Sequence, residues 1–471
     1  MWNGQSKIRE GNGMATTADA SITPAAGPAF ALLGTVQTAL IFTLTSLTVP
    51  LPRIGRELSL GRDDLVLLSA AYGLAFSGLL LLGGRVADRF GGRRGLTVGL
   101  LVFTTASLAA LLVPGPGTLL AARFAQGAGA ALTAPAAMAV LRTTLPDTAA
   151  YGRAMATWGG LSVLGATAGN LLSGVVSALT SWRLTFAVPV AVGSLTLTLA
   201  PRLLPTTPAF AGRSLDLLGA SLATAGITLV SYGLVLTDSH PWGTRSVLAP
   251  LLTGAALLAA FLITEHRAHD PLLPLGFLRD KRRALALAAI GLTAAGVATT
   301  FILLSLHLQQ DRGWSALRTS AAFVPFAVAL IGSGRTTGPL IARYGAPAVT
   351  ACGLALSATG LALLALTGLA PHSPYAYGLL PGLLMLATGA AAAFAGAAVL
   401  ATDGVEARET GLAGGVMNTA MELGPTVVLA ALLTLGSDTT SLAATAAAFA
   451  AVALLHMRVK QRTHSPRELS P

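Results

Sequence analysis

Residues 65–113 read LVLLSAAYGLAFSGLLLLGGRVADRFGGRRGLTVGLLVFTTASLAALLV. Two apolar runs flank residues 83–94, a stretch dense in Gly, Asp and Arg, and neither run holds a charge before Arg85 or after Arg94. A membrane-crossing helix needs about 20 consecutive, mostly apolar residues, and each run supplies that length. The backbone of such a run is satisfied in lipid only within a helix or a closed barrel. Ten-residue alternation, the barrel signature, is absent from both, so the stretch reads as two spanning helices joined by a short charged loop.

The rest of the 471 residues repeats this pattern. Charged residues make up 10% of the chain and hydrophobic ones 53%, with a mean hydropathy of +0.71. A soluble chain carries about 25% charged residues, so this one lacks the charge to cover a surface facing water. Apolar segments fall near 29–51, 65–83, 95–113, 118–141, 154–177, 184–203, 215–236, 247–263, 284–307, 321–341, 347–369, 375–401, 411–435 and 442–456. The expected fold class is therefore an all-α polytopic membrane protein with 14 transmembrane helices. The formal charge of +11 does not imply nucleic acid, because the basic residues sit in short clusters between apolar runs.

Those clusters give an orientation. With the N-terminus in the cytoplasm, 22 of the 30 Lys and Arg residues fall on the inner side and seven on the outer side, with Arg123 inside a segment. An even number of crossings then puts both termini in the cytoplasm. The first 27 residues lack the basic-then-apolar layout of a cleaved signal peptide. The chain divides as a cytoplasmic N-tail (1–28), a six-helix bundle (29–203), two inserted helices (204–263), a cytoplasmic loop (264–283), a second six-helix bundle (284–456) and a cytoplasmic C-tail (457–471). Two parallel six-helix halves with a substrate site between them form a known transporter architecture. An internal echo supports the repeat: residues 84–91 (GRVADRFG) recur as 338–345 (GPLIARYG), each after the second helix of its half.

Ionisable groups deep in a segment are functional candidates by default. Glu422 lies mid-segment in GLAGGVMNTAMELGPTVV, one turn from Asn418. Low dielectric favours its neutral form, which suits a proton-coupled cycle; a structural carboxyl is the other reading. Arg123 shares a helix face with Gln126 and Gly127, as either a buried charge beside small residues or an arginine snorkelling to the headgroups. His307 ends a segment, as a proton carrier or a polar cap. Gly159, Gly160, Gly165 and Gly169 recur through one helix just before Asn170, where they permit close packing or bending. His266 and His269, with Asp270, have a spacing open to metal, but they sit in a mixed-charge loop, and no metal or cofactor is expected. The lone Cys352 builds no disulfide.

Taken together, these stretches resemble the major facilitator superfamily, in particular its fourteen-helix drug:proton antiporter branch, over roughly 30–455. The most similar stretch is GGRVADRFGGRR, with Gly84, Asp88, Arg89, Gly91, Arg93 and Arg94 at the positions of the family's loop motif. In the family this loop locks one closed arrangement through charge contacts between helix ends. RFAQGAG (123–129) resembles the fourth-helix signature, whose arginine is linked to proton coupling. SWRLTFAVPV, LHLQQDRGWS, DPLLPLGFL and GLAGGVMNTAMELG are also similar to stretches of the branch. Two places depart from it. Thr43 stands where the branch usually has a first-helix acid, and Gly165-Ala166 with Gly169-Asn170 replaces the usual Gly-Pro and Gly-Gly.

The resemblance implies secondary efflux of drugs, antibiotics or other small amphipathic compounds across a bacterial inner membrane, by a monomer coupled to protons. Glu422 and Arg123 are the coupling candidates, and Gln126, Asn170, Asn418, His307 and Thr43 are the candidates for lining the substrate cavity. The missing acid keeps open a proton-independent or uptake transporter of a metabolite. A membrane-embedded enzyme or sensor is disfavoured, since no intramembrane cluster of His, Ser and acids is present, and no nucleotide-binding loop points to ATP.

Overall fold

Gly91 and Gly345 both hold positive φ (89° and 83°), each ending one helix and starting the next. Only glycine adopts that backbone without strain. The same tight corner therefore follows the second crossing of each half, and the echo between 84–91 and 338–345 is carried in the backbone. These corners organise a wholly helical chain. The computed structural model describes residues 26–462 apart from 114, 208, 210–214, 238–239, 269–270, 274, 369–372, 407–408 and 433–437, with no strand among them.

Twelve helices among the described residues are long and apolar enough to cross a membrane, so length and hydropathy alone do not reach the expected fourteen. Two expected segments are not among the twelve. Segment 321–341 is broken into three helices laid in series, Ala316–Ala322, Val324–Gly332 and Gly334–Tyr344. Segment 411–435 is the helix Thr410–Leu432, which carries Asn418, Glu422 and an internal Pro425. The expected loop 264–283 also differs. Residues 264–267 complete the helix Arg245–Arg267, Leu275–Arg279 forms a short helix, and Lys281 opens the next long one. Hydropathy ends a segment where charge begins, whereas hydrogen bonding carries the helix a further turn.

The halves meet along few helices. Arg62–Phe90 and Pro116–Thr144 pack on Thr410–Leu432, while Thr148–Leu179 packs on Gly334–Tyr344 and Leu380–Thr402. The inserted helices, Leu217–Leu236 and Arg245–Arg267, pair with each other, and the first of them lies against Arg62–Phe90.

The glycines of Thr148–Leu179 explain how one helix serves both halves. A side chain at Gly152 or Gly160 would strike Ile341 or Ile331 of the facing half. At Gly165 and Gly169 it would strike the backbone of Thr38 and Phe42, on the first helix of its own half. Close approach without a hydrophobic driving force is how helices associate in lipid. Replacing Gly165 by Leu is expected to force the first helix away and cost about 1–3 kcal/mol. Thermal unfolding in detergent should show this against Gly117→Ala, where nothing lies within 4 Å and little change is expected.

Candidate functional site

The loop motif is built around Asp88. It lies on the last turns of Arg62–Phe90 and is only 3% exposed. Its Oδ1 accepts from the Gly411 N–H at 2.6 Å and its Oδ2 from the Leu412 N–H at 2.8 Å. These N–H groups open the helix Thr410–Leu432, so a carboxylate of one half caps the positive end of a helix of the other. Gly84 makes the approach possible, since a side chain there would collide with the Gly411 carbonyl. The other motif residues have different tasks. Arg93 stays within its half, with its backbone N–H bonded to Thr207 Oγ1 at 3.1 Å and Nη1 to the Leu204 carbonyl at 3.2 Å. Arg89 lies over the Phe90 ring, and Arg94 is exposed. Of the six residues, Gly84 and Asp88 join the halves and Gly91 makes the corner.

Arg123 is fully buried, which settles it as a buried charge and not a snorkelling one. Its Nη1 donates to the Thr43 carbonyl at 3.0 Å and to Gln126 Oε1 at 3.1 Å, and Gln126 Nε2 donates to Ser107 Oγ at 2.8 Å. The guanidinium stands 4.9 Å from the centre of the Tyr72 ring, an attraction that strengthens away from water. The Tyr72 hydroxyl donates to the Leu40 carbonyl at 2.9 Å. The first helix thus receives both side chains on its backbone, through Leu40 and Thr43. Nε and Nη2 of Arg123 have no hydrogen-bond partner within the protein, an expensive state for a buried donor.

Glu422 is half-buried, on the helix that Asp88 caps. It lies near enough to Tyr72 for its charge to act on the phenol. Tyr72 therefore feels the charge of both coupling candidates, a role the sequence reading missed because a tyrosine in an apolar run carries no charge signal. Asn418 is buried at the seam between halves, with Nδ2 donating to the Gly414 carbonyl at 2.8 Å and to Met138 Sδ at 2.9 Å.

The five cavity candidates are not brought to one place. Thr43 and Gln126 meet at Arg123, and Asn418 lies at the seam. Asn170 Oδ1 is buried without a partner. His307 is 5% exposed, with Nδ1 bonded to Asp311 at 2.8 Å and Nε2 accepting from Arg312 Nε at 3.0 Å. Arg312 Nη1 reaches on to the Ser373 carbonyl at 2.7 Å, so His307 is part of a tie between a helix end and the segment at Ser373, after the helix Ala346–Leu363. Two clefts flank the Asp88 contact, one lined by Ala87, Asp88, Arg142 and Thr207, the other by Met138, Tyr151, Thr402 and Met417. None of the five candidates lines either cleft. His269 and Asp270 lie outside the described residues, among which no three His, Cys, Asp or Glu side chains converge.

A second tie lies beyond the end of the first helix. Glu57 accepts from Trp182 Nε1 at 2.7 Å and pairs with Arg183, which lies over the Trp182 ring. Arg53 donates to the carbonyls of Ser177 and Thr180. This explains the SWRLTF stretch as an anchor for the turn after Thr148–Leu179.

A buried arginine, a carboxylate latch between two halves and a repeated helix–glycine–helix corner agree with sequence comparison. The Major Facilitator Superfamily profile matches residues 31–429 and, in an overlapping match, 286–468. The chain belongs to the major facilitator superfamily. Members of this family are multi-pass membrane transporters of small molecules. The cephamycin export protein of Amycolatopsis lactamdurans is 36% identical, over 91% of this chain and 89% of its own. The puromycin resistance protein of Streptomyces alboniger is 35% identical, over 86% of this chain and 80% of its own. The crystal structure of the human organic anion transporter MFSD10 has the same fold at 16% identity, with a TM-score of 0.65 over 92% of this chain and 99% of that one.

For this major facilitator protein, Asp88→Ala should remove a capping interaction of about 1–2 kcal/mol. A roughly tenfold shift toward the form open at this end follows, read as a longer distance between spin labels at Phe90 and Asp403. A second expectation concerns acid. Hydrogen bonds from Arg183 and then Trp182 hold the Glu57 carboxyl below its usual range. Its contribution is thus present above the ordinary carboxylate range and lost as pH falls through the lowered value. Acid titration of stability should show that limb in the native chain and not in Glu57→Gln.

Proposed function

We propose that this chain is a secondary active exporter of small amphipathic or apolar compounds, drugs and antibiotics among them, driven by proton influx through alternating access. The observation that carries the reading is the agreement among relatives. Three proteins, 33–36% identical over 86–91% of this chain, are named for cephamycin export, puromycin resistance and lincomycin resistance. Export names movement out of the cell, and resistance to a compound fits the same direction. The working unit would be a monomer in a bacterial inner membrane, with fourteen crossings and both termini in the cytoplasm.

Proton coupling rests on Arg123, Tyr72 and Glu422. A guanidinium with unfilled donors stabilises a carboxylate that comes near it, and that attraction is lost when the carboxyl takes a proton. Glu422 belongs to the helix latched by Asp88, so a change in its charge acts on an element both halves share. Thr43, at the place of the usual first-helix acid, favours a second reading in which transport proceeds without protons.

The discriminating measurement is dye and antibiotic efflux from vesicles under an imposed pH gradient. Native protein should respond to the gradient, while Glu422→Gln and Arg123→Gln should lose that response by tenfold or more, on the order of the 1.4 kcal/mol that equals a factor of ten. Efflux indifferent to the gradient in all three would establish the proton-independent reading.

A further inference from the structure

The inserted helix pair carries a polar cluster apart from the site described above. Asp216 sits in left-handed backbone (φ 39°) and caps the helix Leu217–Leu236, its Oδ1 accepting from the Gly219 N–H at 3.0 Å. Its Oδ2 accepts from the Leu272 N–H at 3.3 Å. Glu265, near the end of Arg245–Arg267, is 3% exposed, and its Oε2 accepts from the Leu273 N–H at 2.9 Å. Consecutive amides of one turn are thus held by two carboxyls from two helices.

One oxygen is left over. Glu265 Oε1 is buried and has no hydrogen-bond donor within the protein. It is aimed at Asp216, because a Cβ built on Gly219 would collide with both Asp216 Oδ2 and Glu265 Oε1. Asp216 is half-buried and Glu265 buried, and two carboxylate oxygens converging on one point there repel unless a proton lies between them. A proton on Glu265 Oε1, donated to Asp216 Oδ2, gives every buried oxygen of the cluster a partner. A metal ion fits poorly, since three of the four oxygens already face amide N–H groups.

We propose that Asp216 and Glu265 form a proton-sharing carboxyl pair, a protonation site distinct from Glu422, whose proton keeps the inserted helices closed on the 272–273 turn. The charges that act on Glu265 from neighbouring elements are Asp216 and Arg85, the latter fully buried on the helix of the loop motif. His266 and Arg267, next on its own helix, are exposed. With one proton in place, Arg85 and the pair are neutral together. Loss of the proton leaves a net negative charge buried between the inserted helices and the helix bearing Asp88. The site would therefore make the inserted pair answer to pH at the end of the bundle where the halves are latched.

Infrared difference spectroscopy of the purified full chain tests this in the Glu422→Gln background, which removes the carboxyl of the coupling candidate. A protonated-carboxyl band should be present near neutral pH, fade as pH rises, and be absent once Glu265→Gln is added. Glutamine imitates the protonated acid, donating to Asp216 and accepting from Leu273. Glu265→Gln should therefore keep the native melting temperature in acid and remove the decline as pH rises from the ordinary carboxylate range, whereas Glu265→Ala should melt lower than Glu265→Gln at every pH. The proposal is overturned if the band persists in Glu265→Gln, or if Glu265→Gln and Glu265→Ala are equally destabilised. An identical decline with pH in the native chain and Glu265→Gln would overturn it as well.

Discussion

Asp88 meets a demand that helices in lipid cannot avoid. The first N–H groups of a helix have no partner within it, and those of Thr410–Leu432 lie at a buried seam. A carboxylate from the other half satisfies two of them, so the end of one helix is completed only while the halves are together. Gly84 permits the approach, and Gly91 turns the chain just after it. The helix so completed carries Asn418 and Glu422 further along. The helix end held by the latch and Glu422 are thus parts of one helix, and moving one displaces the other.

The same demand shapes the centre of the first half. Arg123 reaches water nowhere, and the first helix supplies carbonyl oxygen where the related branch usually supplies an acid. A carbonyl dipole compensates a cation less fully than a carboxylate does. The remaining support comes from Gln126, held in turn by Ser107, and from the face of Tyr72. This leaves the guanidinium under-satisfied by its own half, while Glu422 stands across the seam near the same tyrosine.

Most of this fold is legible in the sequence because the bilayer writes it there. Apolar length, charged corners and the echo of 84–91 at 338–345 give the helices, their order and the repeat. The failures occur where backbone hydrogen bonding and hydropathy part company. Residues 264–267 look like loop because they are charged, yet they finish a helix and bury Glu265. Segment 321–341 looks continuous because it is apolar, yet it is broken at Phe323 and Ser333. At the site, charge in an apolar run picked out Arg123 and Glu422. Tyr72 escaped because an aromatic in such a run is unremarked until a cation is found on its face. Asp216 and Glu265 escaped because both stand at segment ends, where acids are ordinary.

The repeat also shows where the two halves have stopped being equivalent. Gly338 occupies the place of Gly84 and packs as closely, against Arg153 and the Ala149 backbone of the helix Thr148–Leu179. The position matching Asp88, however, is Ala342. The N-terminus of Thr148–Leu179 is capped instead by its own Asp147, which accepts from the Ala150 N–H at 2.7 Å. One helix end therefore carries its cap with it, while the other leaves its cap behind when the halves part. Separation breaks charge-assisted hydrogen bonds at the Asp88 seam, but at the Gly338 seam the packing given by Gly152, Gly334 and Gly338 can shift without uncapping a helix. The cap that crosses between the halves is accordingly present at one of two echoing places, and that place is the one adjoining the helix of Glu422.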